Sequence, residues 1–212
     1  MKLIFENWNR FLEQQELNEE AISNIDDHGL LFYPNIENPS YIVIYNLEKA
    51  SEGIEQYDPE VIEESLKGLL ELRFNQSRNA YEVEQIWAVK NYGPTLYRIA
   101  IQYATEEGFN GLMPTAIKGQ VSNEAKNVWK NFFDGKGKQF VDHIDIPEGR
   151  HDEDYLNKIY KAKEGAPVIN GMKAIQNNQQ IFANDPYGEK IGLFIEEVDS
   201  KLRDEMRSIY GQ

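Results

Sequence analysis

The chain has 212 residues, of which 41% are hydrophobic, and this content supports one folded domain with small terminal additions. A net charge of −14 and the lack of any Lys/Arg run exclude nucleic-acid binding through a basic surface. The absence of cysteine excludes disulfides, thiolate metal sites and a cysteine nucleophile, and no apolar run approaches the ~18 residues of a membrane span. We therefore expect a protein of the cytoplasm that binds neither nucleic acid nor membrane.

The first predicted element is an amphipathic helix whose apolar face carries Ile4, Trp8, Phe11 and Leu12. The simplest interpretation is a helix that packs on the core. The segment Leu3-Ile4-Phe5-Glu6 is also similar to the Leu-x-x-Glu sites at which phage head proteases trim packaged proteins, so a cleaved leader is the alternative.

Strands are predicted next. Residues 30–33 form a short apolar run, and residues 40–47, rich in β-branched and aromatic side chains, form the clearest strand. Pro59 marks the start of a helix or turn. Residues 68–75 and 81–89 then predict a hairpin with turn residues between them. Neither alternating face of its second strand is purely apolar, which indicates that one side meets solvent or a site.

Two helices are predicted after the hairpin. The first, from Thr95 to about Glu107, matches the apolar spacing of a helix and ends at Gly108. A short strand at 111–114 precedes the second helix, which begins after Ser122 as N-cap. A further strand is predicted at 140–146, an irregular polar segment from 147 to about 180, and a long amphipathic helix at 189–209.

This order of elements predicts a mixed α/β (α+β) fold with a largely antiparallel sheet flanked by helices. We divide the chain into an N-terminal helix or leader at 1–28, an α/β core at 29–146, and an irregular segment with a long helix at 147–212 that packs on the core. The sequence contains no internal repeat and no low-complexity tract.

The turn that joins the hairpin to the first central helix is the first candidate site. It runs Val89-Lys90-Asn91-Tyr92-Gly93-Pro94-Thr95. A strand that turns through a glycine into a helix presents backbone N–H groups without internal partners, and such groups bind anions. The alternative is an ordinary strand-to-helix turn with proline in the first helical turn.

The hairpin, glycine-containing turn, helix, short strand and second helix, over roughly residues 40–146, resemble the core of the GNAT-type N-acetyltransferases. The resemblance implies that N–H groups of residues 89–95 hold the pyrophosphate of acetyl-CoA, with Lys90 adding charge. It also implies that the helix with Asn127, Trp129 and Phe133 lies along the pantetheine arm. The family turn usually carries Arg or Gln and two or three glycines, where this chain has one glycine and a proline.

The same region carries a second resemblance. Tyr92-Gly93-Pro94-Thr95-Leu96-Tyr97 and the pattern Val-Ser-x-x-Ala-x-x-Val-Trp at 121–129 are similar to segments of uncharacterised proteins of tailed bacteriophages. This similarity implies a phage-encoded protein and leaves its activity open.

Glu82 and Glu84 are the candidate bases on the central strand. Transfer of an acetyl group to an amine needs a base that removes the ammonium proton. The alternative is an exposed strand face with an ion pair across the hairpin to Arg73. Tyr97 is a candidate acid for the departing thiolate, although a tyrosine in an amphipathic helix is commonly a core residue. The other tyrosines considered for this role are Tyr92, Tyr103 and Tyr160.

A metal site is not predicted. The segment His151-Asp152-Glu153-Asp154 is the strongest cluster of metal-ligand types, but no second histidine stands at ligand spacing. Carboxylates packed in a loop are usually solvated instead.

The leading hypothesis is transfer of an acetyl group from acetyl-CoA to an amine by direct attack in a ternary complex. The acidic surface favours a cationic small-molecule or peptide acceptor by steering. The alternative is a non-catalytic phage virion or host-interaction protein on a degenerate fold of the same kind, which binds a partner or a second copy through exposed aromatic helix faces. A third hypothesis, based on charge alone, is an acidic nucleic-acid mimic.

Overall fold

The computed structural model describes residues 28–33, 40–117 and 119–166. In this part of the chain, seven strands form one mixed sheet that is flanked by four α-helices. The strands are β1 (His28–Tyr33), β2 (Ser40–Asn46), β3 (Leu66–Asn75), β4 (Ala80–Ala88), β5 (Leu112–Met113), β6 (Val141–Asp145) and β7 (Lys158–Ala162). The helices are α1 (Leu47–Gln56), α2 (Pro59–Ser65), α3 (Tyr92–Glu106) and α4 (Asn123–Asp134), with short 3-10 helices at Lys136–Gln139 and Asp154–Leu156. The predicted mixed α/β class is confirmed.

The sheet contains a single parallel pair among the described strands. Its order is β1-β2-β3-β4-β5-β7-β6. Five neighbouring pairs are antiparallel, and β4 with β5 is parallel. Helix α3 connects these two strands, because a parallel pair needs a crossover rather than a tight turn. The predicted largely antiparallel sheet is therefore confirmed.

Helices cover both faces of the sheet. Helices α3 and α4 pack on one face, and α1 with α2 packs on the other. Residues 41–45 of β2 are all buried, because successive side chains point to alternate faces and both faces carry helices. The largest buried helix side chains on the α3 face are Leu96, Tyr97, Ile99, Trp129 and Phe132.

The hairpin contains a bulge in β4. Glu71 pairs with Gln85. The next residue, Leu72, pairs with Val83, so one residue of β4, Glu84, has no cross-strand partner. Because of the bulge, odd-numbered residues before it and even-numbered residues after it face the same core, which α3 covers. These residues are Tyr81, Val83, Ile86 and Ala88. The bulge explains why neither alternating face of this strand is purely apolar in the sequence.

Several predicted elements are confirmed with small changes at their ends. The strand at 40–46, the hairpin, the strand at 141–145 and the helix capped by Ser122 are present. Helix α3 starts at Tyr92, three residues before the predicted Thr95, because a proline within the first helical turn needs no N–H donor. The helices predicted at 4–12 and 189–209 lie outside the described residues.

Two elements were not predicted. Helix α1 begins after Asn46, whose side chain accepts a hydrogen bond from the Lys49 N–H at 2.9 Å. Strand β7 lies within the segment that we expected to be irregular from residue 147, and it inserts between β5 and β6. Its five residues carry two lysines, the buried Lys158 and the half-buried Lys161, and charged residues weaken the apolar signal of a strand.

Candidate functional site

The parallel strands β4 and β5 stay together over only two residues. Tyr81 pairs with Leu112, and Glu82 pairs with Met113. Within the described ranges the two strands form no further ladder pair, so the C-terminal half of β4 is separated from β5. On that side of residues 83–88, the backbone N–H and C=O groups have no strand partner among the described residues, and a ligand with amide groups can meet them.

The turn at the end of β4 has few remaining donors. The Val89 N–H donates to the Lys67 carbonyl at 2.9 Å, and the Tyr92 N–H donates to the Val89 carbonyl at 3.1 Å. Pro94 has no N–H. Of the first three helical residues, Gly93 is thus the one left to donate to a ligand. A Cβ added to Gly93 would meet only the Ala88 Cβ, at 3.9 Å, so the space beside it is open among the described atoms.

The other residues predicted to bind the cofactor differ in their burial and in their position relative to this turn. Lys90 is exposed, and Asn91 adopts the left-handed conformation with a φ of 71°. Thr95 is buried, and its hydroxyl donates to the Asn91 carbonyl at 3.2 Å. Asn127 is exposed on α4, and no described contact joins it to the turn. The structure therefore brings residues 89–95 together and leaves Asn127 apart from them.

Tyr92 fixes the start of α3 against the first strand. Its hydroxyl lies 2.8 Å from the His28 Nε2 atom, and the two rings are 5.4 Å apart at their centroids. This contact spans 64 residues of sequence and anchors the beginning of the helix.

The two candidate bases have different partners. Glu84 accepts an ion-pair hydrogen bond from Arg73 at 2.6 Å, which is the cross-hairpin pair considered in the sequence analysis. The Glu82 carboxylate accepts from the Ala116 N–H and from the Asn75 side-chain amide. Glu82 is therefore the carboxylate that bridges β4 to the chain after β5, at the point where the strands part.

The candidate tyrosines belong to the core. Tyr97 is 1% exposed, and its ring packs edge-on against Trp129 at a centroid distance of 4.9 Å. Burial raises the pKa of the Tyr97 phenol, so this group stays protonated. Burial likewise raises the pKa of Tyr103, and the Tyr160 hydroxyl donates to the Tyr155 carbonyl at 2.6 Å.

A cavity of about 170 Å³ lies close to Glu82 rather than to Gly93. The turn after β3, the chain after β5 and the loop before β7 form its walls, and Arg78, Glu148, Arg150 and His151 line it. In the sequence, His151 was a candidate only for metal binding, which was not predicted, and the two arginines were not candidates for any site. The sequence indicated this site only through the charged residues Arg150 and His151 near Glu148. No sequence pattern showed that they lie close to the hairpin turn with Arg78.

Among residues 28–33, 40–117 and 119–166, no group of three His, Cys, Asp or Glu side chains is placed to hold a metal ion. None of the described helices combines the length and the apolar character needed to span a membrane.

Comparison with known proteins adds no relative to this description. No family model matches the chain, and no curated protein or solved structure matches it.

Proposed function

We propose that the protein is an N-acetyltransferase that moves an acetyl group from acetyl-CoA to an amine by direct attack in a ternary complex. One observation carries the proposal: β4 and β5 separate after Glu82, and the same strand leads into the open helix start at Gly93. CoA combines phosphates with an arm that contains amide groups. A helix N-terminus suits the phosphates, and an unpaired strand edge suits the amides.

The strand edge and the helix start are continuous in the chain. Residues 83–88 supply main-chain groups for an extended arm, and Gly93 with the nearby Lys90 supplies a donor and a positive charge at its phosphate end. Bound acetyl-CoA supplies the activated thioester. The strand edge at residues 83–88 and the helix start at Gly93 lie at two ends of one continuous segment. An elongated cofactor can contact both ends at once.

Glu82 is the base in this proposal. Its carboxylate lies at the last paired position of β4 and β5, beside Ala116, and no arginine in the described part of the chain neutralises it as Arg73 neutralises Glu84. It accepts a proton from the ammonium group of the acceptor, so that the neutral amine can attack the thioester carbonyl carbon. The C–N bond then forms as the C–S bond breaks, and the leaving CoA thiolate takes up the second proton of the amine nitrogen. Glu84 and Arg73 hold the bulge together. A Glu82→Gln change therefore removes the base, and it keeps an amide oxygen that can still accept the Ala116 hydrogen bond.

Calorimetric titration with acetyl-CoA and, separately, CoA tests the cofactor site. We expect binding to the wild type and a loss of at least about tenfold in affinity for Gly93→Asp, because its carboxylate stands where the phosphates bind. An acidic residue in the first turn of a helix is favourable to the helix itself, so this variant should fold. Gly93→Ala is the matched control: it keeps the N–H and meets only an ordinary contact, and it should bind as the wild type does.

Two results would contradict the proposal. The first is the absence of any heat with the wild-type protein. The second is equal affinity of the Gly93→Asp and Gly93→Ala variants, which would place the phosphates elsewhere.

A second candidate function is non-catalytic binding of a virion or host protein on the same fold. The observation in its favour is the low number of donors in the α3 turn, where Tyr92 is already bonded and Pro94 has none. In this case acetyl-CoA produces no heat, and the protein is recovered in stable complex with a defined partner.

A further inference from the structure

The cavity beside Glu82 has the size of a small metabolite. Its volume of about 170 Å³ is below the range of about 300–1,000 Å³ that is typical of sites for drug-sized ligands. It is similar to an engineered cavity of about 150 Å³ that accommodates benzene. A ligand with on the order of six to ten non-hydrogen atoms therefore suits it.

The charges on its wall differ from the acidic character of the whole chain. Of the four arginines that the structure describes, Arg73 is paired with Glu84, and Arg98 lies with its Cζ atom 3.9 Å from the Phe140 ring centroid. The other two both line the cavity. Arg78 and Arg150 have no ion-pair partner in the described part of the chain. Two guanidinium groups at one small cavity favour a carboxylate, which arginine binds in a bidentate manner.

A negative charge lines the same cavity. Glu148 contributes to the wall and forms no ion pair with either arginine among the described contacts. Apolar side chains of Met113, Ile146 and Leu156 complete the lining. The wall thus offers both signs of charge and an apolar surface, a combination that suits a ligand with an anionic group, a cationic group and a small apolar part.

Hydrogen bonds hold the wall in place without any ligand. The His151 ring donates from Nε2 to the Thr115 carbonyl at 2.7 Å, which ties the loop before β7 to the chain after β5. The His151 N–H donates to the Asn157 side-chain oxygen at 3.0 Å, and the Asn157 amide donates back to the His151 carbonyl at 2.8 Å. These bonds fix the part of the wall around His151 and Asn157, so that part loses little conformational entropy on binding, whereas the exposed side chains of Glu148 and Arg150 are ordered by the ligand itself.

We propose that this cavity binds a small zwitterion of the amino-acid class. Arg78 and Arg150 hold its carboxylate, Glu148 holds its ammonium group, and Met113 with Ile146 contacts its apolar part. Ala116 lines the cavity and donates its N–H to Glu82, so the cavity adjoins the proposed base. The assignment of this ligand as the acetyl acceptor rests on the proposed function, whereas its binding does not.

Three matched probes separate the charge requirements. L-valine carries both charges, 3-methylbutanoate carries only the carboxylate, and isobutylamine carries only the ammonium group. Calorimetric titrations with each probe, with and without saturating CoA, should give valine an affinity at least tenfold higher than that of either analogue. The other standard amino acids are screened by thermal shift to cover differences in side-chain size. Absence of a response to every amino acid, or equal binding of 3-methylbutanoate and valine, would overturn the proposal.

Variants assign the two ends of the ligand. Arg150→Gln should weaken valine binding at least tenfold, and Lys138→Gln, which removes one positive charge at an exposed position outside the cavity, should leave it within about twofold of the wild type. Glu148→Gln should abolish the preference for valine over 3-methylbutanoate while retaining binding of the carboxylate. A purely structural role of Glu148 would weaken both ligands equally, and that result would contradict its assignment.

The two proposals can fail separately. Amino-acid binding together with no heat from acetyl-CoA or CoA would refute the acetyltransferase and keep the zwitterion site. Acetyl-CoA binding that depends on Gly93, together with no response to any amino acid, would keep the cofactor site and refute the zwitterion.

Discussion

At Gly111 the chain passes so close to β7 that no side chain fits. Its φ of 130° lies in a region that only glycine adopts readily, and an added Cβ would lie 2.1 Å from the Tyr160 carbonyl oxygen. Tyr160 is also the β7 residue that pairs with Leu112 of β5. Gly111 therefore allows β5 to lie between β4 and β7, where the parallel strands begin to separate.

We expect Gly111→Ala to lower the free energy of unfolding by about 3 kcal/mol or more, because alanine disfavours this φ and collides with the backbone of β7. Gly108→Ala is the matched control. Gly108 also has a positive φ, of 83°, but no atom lies within 4 Å of its added Cβ, so the cost should be about 1 kcal/mol. Urea denaturation measures both values, and equal losses would contradict this account of Gly111.

Single residues were predictable from sequence where a local rule applies. Ser122 accepts a hydrogen bond from the Ala125 N–H as the predicted N-cap, and Gly108 ends α3 with a positive φ. The ion pair of Arg73 with Glu84 had been considered as an alternative for that carboxylate. The contacts of Arg78 and Arg150 with one cavity were not predictable, because they lie 72 residues apart in the sequence and only the tertiary fold joins them.

Strands β6 and β7 are held together by a lysine that bridges two acidic groups. The Lys158 Nζ atom donates to Asp145 at 2.6 Å and to Asp154 at 2.8 Å. These hydrogen bonds raise the pKa of Lys158. The hydrogen bond from Lys158, followed by its charge, lowers the pKa of Asp145 below its usual 3.8. The bridge ties the end of β6 to the start of β7 and so supports one wall of the cavity.

Because of this bridge, we expect the free energy of unfolding to fall as the pH is lowered into the acidic range. A carboxyl group with a lowered folded pKa stabilises the fold above the pKa of the unfolded chain, and that stabilisation is lost as the pH falls through the folded value. On acidification from about pH 5 to about pH 2, the wild type should therefore lose more unfolding free energy than Asp145→Asn. Asp142→Asn, on the same strand but 4.0 Å from its partner Lys163, should stay closer to the wild type. Identical pH profiles of the wild type and Asp145→Asn in denaturant titrations would refute the prediction.

Elements were predictable where their apolar pattern is long and regular. The β-branched and aromatic content of β2 and the turn residues of the hairpin indicated these strands, and the helical spacing of apolar residues indicated α3 and α4. Helix α1 was missed because its ten residues contain three glutamates and a lysine, with only Ala50, Gly53 and Ile54 buried. Strand β5 has two residues, and its position was indicated by the short apolar run at 111–114 rather than by a periodic pattern.

At the scale of the whole molecule, the sequence indicated the layers but not the order of the strands. The insertion of β7 between β5 and β6 and the two-residue contact of β4 with β5 are long-range features without a local signal. The overall charge of −14 suggested a cationic acceptor, whereas the cavity near Glu82 carries two unpaired guanidinium groups among the described residues. The electrostatic field of the whole protein affects how fast a charged ligand approaches, whereas the charges on the cavity wall determine which ligand binds.

The central claim is that CoA binds where β4 leaves β5 and α3 begins. The most direct test is to record backbone amide resonances of the protein while CoA is added. The account predicts the largest changes at Gly93 and along residues 83–88 of β4. No change, or changes concentrated at Arg78 and Arg150, would contradict it, because the phosphates would then bind elsewhere or not at all.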